Sequence, residues 1–185
     1  MKLIVGLGNV GTEYAGTRHN FGFAAIDYLV EKLDIKWKNK SKFSAEIAKT
    51  KINNEKVLFI KPTTFYNLSC QSVRAIRDFY KLKNSDVLVI HDEIALPIGT
   101  LRARIGGSDA GNNGIKSLNR NLGEDFARIR IGSKNDNLPN DNHSDFVLSK
   151  PTASEKAKFH ELLPRIEQIV MNFTLGDFEI ISLNI

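Results

Sequence analysis

Cysteine occurs once in this sequence, at Cys70, so no disulfide can close within the chain and a reducing compartment is expected. No apolar run reaches the length needed to cross a bilayer. Residues 1–5 lack the basic region, apolar stretch and small-residue cleavage site of a secretory leader, and they read as a first strand. The expectation is therefore a cytosolic protein with no membrane partner. Internal repeats, low-complexity tracts and linkers are missing too, which leaves one domain over residues 1–185, expected to be a monomer. The motif Gly-x-Ser-x-Gly of a serine nucleophile is absent. So is any second His or Cys cluster that could complete a metal site with His91-Asp92-Glu93, and no metal is expected.

What is present is ordinary for a globular chain: 42% hydrophobic and 25% charged residues among 185. The net charge of +5, with a pI near 9.3, favours a polyanionic partner by counterion release without proving one.

Apolar runs at 2–6, 57–60 and 86–90 (DVLVI), and alternating segments at 45–52, 101–105 and 127–131, predict strands. The all-apolar character of 86–90 suits a central strand covered on both faces. Helical spacing follows Asn20, with Phe21, Ala24, Ala25, Tyr28 and Leu29 recurring on one side. A second helix is expected over 69–82. A third carries Ile115, Leu118 and Leu122 and stops at Gly123. A fourth opens on the capping box Thr152-x-x-Glu155 and presents Phe159, Leu162, Leu163, Ile166, Ile169 and Val170, with a kink expected at Pro164. Strands alternating with helices predict an α/β fold: a three-layer α/β/α sandwich whose central sheet is mostly parallel and mixed at one edge. Residues 176–185 are open between a short strand and a frayed tail.

In such sheets ligands bind beyond the carboxyl ends of the strands. If the strands at 2–6, 57–60 and 86–90 are parallel neighbours, Asn9, Asn67 and Asp92 line one crevice. The loop 14–20 lies above the first strand and can bring His19 there. Histidine titrates near neutral pH and suits a general base. A carboxylate such as Asp92 can fix its tautomer and stabilise the imidazolium. Asparagine amides can orient water and donate to a developing oxyanion. The set is competent to hydrolyse an ester without a metal or covalent intermediate. The bland readings are that Asp92 caps a turn, Asn67 starts the second helix, Asn113 caps the third, and His91, His143 and His160 are structural. Cys70 falls in a helical apolar period and reads as packing. Gly6-x-Gly8-x-x-Gly11 matches a dinucleotide fingerprint literally, but no helix starts at its third glycine and the expected acidic partner falls inside a helix.

The run GLGNVGTEYAGTRHN at 6–20 resembles the opening signature of bacterial-type peptidyl-tRNA hydrolases. PTTFYNLS at 62–69, HDEIALPIG at 91–99, GNNG at 111–114, an Arg-Ile-Arg-Ile-Gly run ending at Gly132, and FVLSKP at 146–151 follow in family order. The resemblance implies His19 as catalytic base and Asp92 as the residue holding it basic. It implies that Asn9 recognises the acylated amino group, and that Tyr14, Phe65, Asn67 and Asn113 contact substrate near the ester. It implies tRNA as partner and no cofactor. The sequence departs from the family at Val10 (usually Pro), Tyr66 (usually Met), Ala95 (usually acidic) and Asn112 (usually His). Asparagine can hydrogen-bond but carries no proton. Asn112 gives some support to an alternative, a non-catalytic RNA-binding relative resembling splicing factors, while Asn9, His19, Asn67, Asp92 and Asn113 argue for the enzyme.

Alternation places Arg102 with Arg104, and Arg128 with Arg130, on common strand faces. The plain reading is a solvated surface. The resemblance favours phosphate contact along an RNA stem for Arg102, Arg104 and Arg130. Lys36, Lys38, Lys40 and Lys42 around Trp37 remain open between the two.

Overall fold

A computed structural model describes residues 1–141 and 143–185. Its centre is an eight-stranded sheet in the order β2-β3-β4-β1-β5-β7-β6-β8. The strands are β1 (Lys2–Gly6), β2 (Lys38–Lys40), β3 (Ala45–Ile52), β4 (Glu55–Pro62), β5 (Val87–Pro97), β6 (Thr100–Ile105), β7 (Ala127–Lys134) and β8 (Ile181–Asn184). The pairs β4·β1, β1·β5 and β5·β7 are parallel. Only β3 and β6 run against the other strands, so the sheet is mixed at both edges and not at one. A two-residue turn joins β3 to β4 and forces their antiparallel pairing, whereas β6 leaves β5 by a tight turn and pairs on the far side of β7, which it reaches only through the segment carrying α3.

The helices are α1 (Phe21–Lys32), α2 (Cys70–Phe79), α3 (Asn113–Leu122), α4 (His143–Val147) and α5 (Ala153–Leu175). Period-2 alternation in the central strands sends Ile4, Leu88 and Ile90 to one face, where Ala25, Ile26 and Leu29 of α1 and Leu162, Ile166 and Ile169 of α5 cover them. Leu3, Val5, Val87 and Val89 go to the other face, against Val73 and Ile76 of α2 and Ile115 and Leu118 of α3. The three layers of the expected sandwich are thus present. Thr152 and Glu155 form the reciprocal capping box of α5, with the Glu155 amide donating to Thr152 Oγ1 and the Thr152 amide to Glu155 Oε2. The helix α5 runs on through Pro164 without a break. The last residues, left open by the sequence, form the edge strand β8 against β6.

Close approach of α1 to the sheet sets the geometry of the crevice. A Cβ at Gly22 would overlap the carbonyls of Ile90 and Leu7, and one at Gly6 would overlap the carbonyl of Gly22. With glycine at both places, the Leu7 amide reaches Ile90 O (2.9 Å) and the Phe23 amide reaches Leu7 O (3.1 Å). The first turn of α1, and His19 just before it, is thereby held over the carboxyl ends of β1 and β5.

Candidate active site

A crevice of about 720 Å³ opens beyond the carboxyl ends of β1, β4 and β5. Asn9, His19, Phe65, Asn67, Asp92 and Asn113 all line it, so six positions spread over a hundred residues converge as the strand order requires. Tyr14 stays outside this wall, half-buried in the short turn Thr12–Tyr14.

Asp92 is 1% exposed, and its Oδ1 lies 2.8 Å from His19 Nδ1. Burial would raise the Asp92 carboxyl, but the adjacent His19 and the Tyr66 hydroxyl outweigh it and hold the group below its ordinary value. As an anion Asp92 only accepts, so Nδ1 of His19 carries the proton and Nε2 is left bare for chemistry. The His19 ring stacks on Tyr66, with centroids 3.6 Å apart and an interplanar angle of 19°. Tyr66 donates its hydroxyl to the same Asp92 Oδ1 at 2.9 Å. Burial first, and then the Asp92 charge, push the Tyr66 phenol well above its ordinary range, so it stays protonated.

Asn9 is fixed on three sides. Its amide donates to Asn20 Oδ1 (2.8 Å), its carbonyl accepts from Asn20 Nδ2 (2.9 Å), and its Oδ1 accepts from the Tyr66 amide (3.1 Å). Because Oδ1 is occupied, the free end of Asn9 is the donor Nδ2. It suits an acceptor such as an acyl carbonyl. Asn20 therefore holds the Asn9 loop and makes no side-chain bond to its own helix, although it occupies the expected cap position of α1. The cap of α3 is likewise Asn112, whose Oδ1 accepts from the Ile115 amide at 3.1 Å, and not Asn113, which is exposed and free to face the crevice.

Two further features escaped the sequence reading. The far wall of the crevice is built by Leu138, His143, Ser144, Val147 and Leu148, most of them in or beside α4. The block at 146–151 was visible as part of the resemblance, but five helical residues are too few to show a period. His143, read as structural, is exposed at the start of this helix and faces the site. Arg18 is the other. It is 3% exposed and bonds Glu155 Oε2 (2.7 Å), Ser133 O (3.2 Å) and Ser149 Oγ (3.3 Å), with its guanidinium 4.6 Å from the Phe146 ring. This one side chain ties the turn carrying His19 to β7, α4 and the cap of α5. His91, on the opposite strand face from Asp92, is 1% exposed; burial pushes it down to about 4, and its Nδ1–H donates to Asp92 O at 2.7 Å. It is neutral, and it lies within β5 and not after it, with Nε2 buried and without a hydrogen-bond partner among the described residues.

Antiparallel register sets Arg102 opposite Arg130 and Arg104 opposite Arg128, so four arginines share one sheet face. They are not equivalent. Arg128 is 2% exposed and donates to the carbonyls of Ser108 and Gly106; burial, and then the charges of Arg104 and Arg130, lower it to about 10. Arg130 is held by Glu93 at 3.0 Å. Arg102 is exposed and Arg104 half-buried. Lys38–Lys40 form an exposed edge strand, a placement in which lysines discourage pairing with other sheets. Among the described residues, no helix is long and apolar enough to cross a membrane.

Comparison with known proteins agrees with this arrangement. The family model described as peptidyl-tRNA hydrolase matches residues 3–182. A peptidyl-tRNA hydrolase of Rickettsia prowazekii is 42% identical over 177 residues, 95% of this chain and 92% of the relative. One of Clostridium botulinum is 47% identical over 162 residues, 87% of this chain and 83% of the relative. The crystal structure of peptidyl-tRNA hydrolase from Acinetobacter baumannii superposes with a TM-score of 0.90 at 34% identity, over 95% of this chain and 89% of that one. On the length of the match, the identity and the shared architecture together, the chain belongs to the peptidyl-tRNA hydrolase family.

Proposed function

We propose that this chain, folded as one domain over residues 1–185, hydrolyses the ester between a peptide and the 3′ end of tRNA with His19 as general base. The observation that carries the reading is the His19–Asp92 contact of 2.8 Å, which leaves Nε2 bare at the crevice. Nε2 takes a proton from water as the water oxygen attacks the ester carbonyl. Charge collects on the carbonyl oxygen, and the amides of Asn67 and Asn113 are placed on the crevice wall to donate to it and to orient the water. Collapse of the tetrahedral intermediate breaks the bond to the ribose oxygen, which regains the proton from His19. The products are a peptide acid and free tRNA.

Asn9 selects the substrate in this scheme. Its outward Nδ2 donates to the acyl carbonyl that a peptidyl group has and a free aminoacyl group lacks. Phe65, 71% exposed at the rim, offers apolar surface to the first side chain. Tyr14, outside the wall, would meet only substrate that extends past it. Arg102 and Arg104, with Arg130 held by Glu93 beside them, form the face for tRNA phosphates. The site works in the cytosol, as a monomer and without a cofactor, a setting consistent with a buried free thiol at Cys70.

The test is release of an N-acylated amino acid from charged tRNA by the purified protein and by His19→Ala. Loss of a general base costs about 10²–10⁴-fold in turnover with substrate binding retained. A His19→Ala variant that keeps parental turnover would remove the assignment. Binding without turnover by the parent would favour the non-catalytic RNA-binding reading.

A further inference from the structure

Two positions at which the sequence departs from its family, the buried Tyr66 and the half-buried Asn112, touch each other and the proposed catalytic pair. Asn112 Nδ2 donates to the Tyr66 hydroxyl at 3.0 Å and to Asp92 O at 3.2 Å. The orientation of that amide is set by the backbone, because Asn112 Oδ1 accepts from the Ile115 amide at the start of α3. An amide group has its donors on one end only, so Nδ2 must face Tyr66. The hydroxyl then accepts from Asn112, and its single proton is left for Asp92 Oδ1. That oxygen also receives His19 Nδ1–H. Donation therefore runs one way, from the α3 cap through Asn112 and Tyr66 to Asp92, with His19 entering from the other side. Tyr66 is 4% exposed, and its ring is the platform on which the imidazole stacks.

We propose that Tyr66 is a positioning residue: oriented by Asn112, it shares the Asp92 oxygen with His19, fixing the imidazole tautomer and limiting how strongly Asp92 holds the imidazolium. Two donors on one carboxylate oxygen divide its charge between them. Removing the hydroxyl turns the whole of that charge on His19. Imidazolium is then favoured, and His19 stays protonated, and so unable to act as a base, to a higher pH. Neither Tyr66 nor Asn112 changes charge near neutral pH, so this adjustment is constant across the working range.

The inference rests on the reading of His19 as base, but its test does not depend on turnover alone. Tyr66→Phe keeps the ring and its stacking and deletes only the hydroxyl. Asn112→Ser keeps a helix cap and deletes the donor to Tyr66. The other groups around the pair are His91 and Glu93 on β5, Arg18 before His19, and Lys134 and His143 across the crevice, with Arg128 and Arg130 acting on His91. All remain in both variants. The His19 titration followed by NMR, with His19→Ala identifying its signals, should move up by about one pH unit in Tyr66→Phe. It should move by less in Asn112→Ser, and no further in the double variant than in Tyr66→Phe. The acidic limb of the pH–rate profile should move with it, with turnover recovering at high pH and KM nearly constant.

A uniform loss of turnover at every pH with an unmoved His19 titration would mean that Tyr66 only supports the fold, and the proposal would fall. A titration that shifts while His19→Ala retains parental turnover would uphold the hydrogen-bond chain and remove its catalytic meaning, so the two readings fail separately.

Discussion

Arg18 offers the sharpest test of how the site is held. Its guanidinium and the Glu155 carboxylate form an ion pair of 2.7 Å, with side chains 3% and 9% exposed. Arg18→Met keeps most of the stem's packing and removes the charge. Glu155 is then buried without its main partner, and breaking a buried pair from one side costs about 3–5 kcal/mol. For a chain of this size each kcal/mol moves Tm by about 2–4 °C, so a fall of about 6–20 °C is expected. Arg18→Met with Glu155→Leu replaces both charges by apolar groups and should recover much of the loss. Acid gives a second, independent arm. Burial would raise the Glu155 carboxyl, but bonds from Arg18, the Thr152 amide and Asn135 overcome that and hold it at about 2, against 4.5 as the ordinary value. A carboxyl depressed by folding contributes its full stability above the unfolded value, and that contribution is lost as pH falls from about 4.5 towards 2. It amounts to at most about 3 kcal/mol. Urea unfolding followed by circular dichroism at several pH values, on the parent and on Glu155→Gln, isolates it as the difference between the two curves. A difference that does not change between pH 5 and 2, or an Arg18→Met variant within 1 kcal/mol of the parent at pH 7, would refute the ion-pair argument.

Other expectations follow from the same geometry. Asn9→Asp puts an acceptor where the free amide donor stood, so discrimination between acylated and free-amine substrates should blur; an unchanged ratio of the two activities would place selectivity elsewhere. Arg104→Ala should raise KM for many tRNAs alike, leave saturated turnover near parental, and flatten the logarithmic salt dependence by about 0.7–0.9 per phosphate contact. Arg130→Ala should in addition disturb Glu93, so equal losses on a short ester lacking the tRNA body would assign it to the site's framework and not to tRNA. Gly22→Ala should cost about 1–3 kcal/mol or more and lower turnover, because the new methyl meets the carbonyls of Leu7 and Ile90; unaltered urea midpoints would show that α1 has room to shift.

The layered architecture was legible because the segments that build it obey simple periods. Leu3, Ile4, Val87 and Leu88 alternate between two buried faces, and α5 announces itself by its capping box. Polar residues misled where pairing overrode them. The segment 86–90 read as a strand ending at Ile90, yet β5 continues through His91-Asp92-Glu93 to Pro97. It does so because β7 supplies a partner as far as Lys134 and because Gly132 lets the Pro97 carbonyl approach. The polar convergence of Asn9, Asn67 and Asp92 could be anticipated from strand direction alone. The direction of hydrogen bonding could not. Nothing in the order of residues says that Asn20 clasps Asn9, that Asn112 and not Asn113 caps α3, or that Arg18 is buried against Glu155, since each depends on which donors and acceptors the tertiary fold leaves unmatched.

The Arg18 clamp also bears on the order in which the protein can become competent during its own synthesis. Translation emits about 5–20 residues each second, N-terminus first. Every polar group proposed for the chemistry, from Asn9 to Asn113, has left the ribosome before the chain reaches α4 and Glu155. Until those residues emerge, Arg18 has neither its carboxylate partner nor the Phe146 ring, and the far wall of the crevice does not exist. A nascent chain that has emerged only as far as about residue 135 would therefore display the side chains proposed for the chemistry yet hold His19 on a turn that lacks the Arg18–Glu155 pair. The Arg18 contacts can close only when the last fifth of the sequence folds back onto the first.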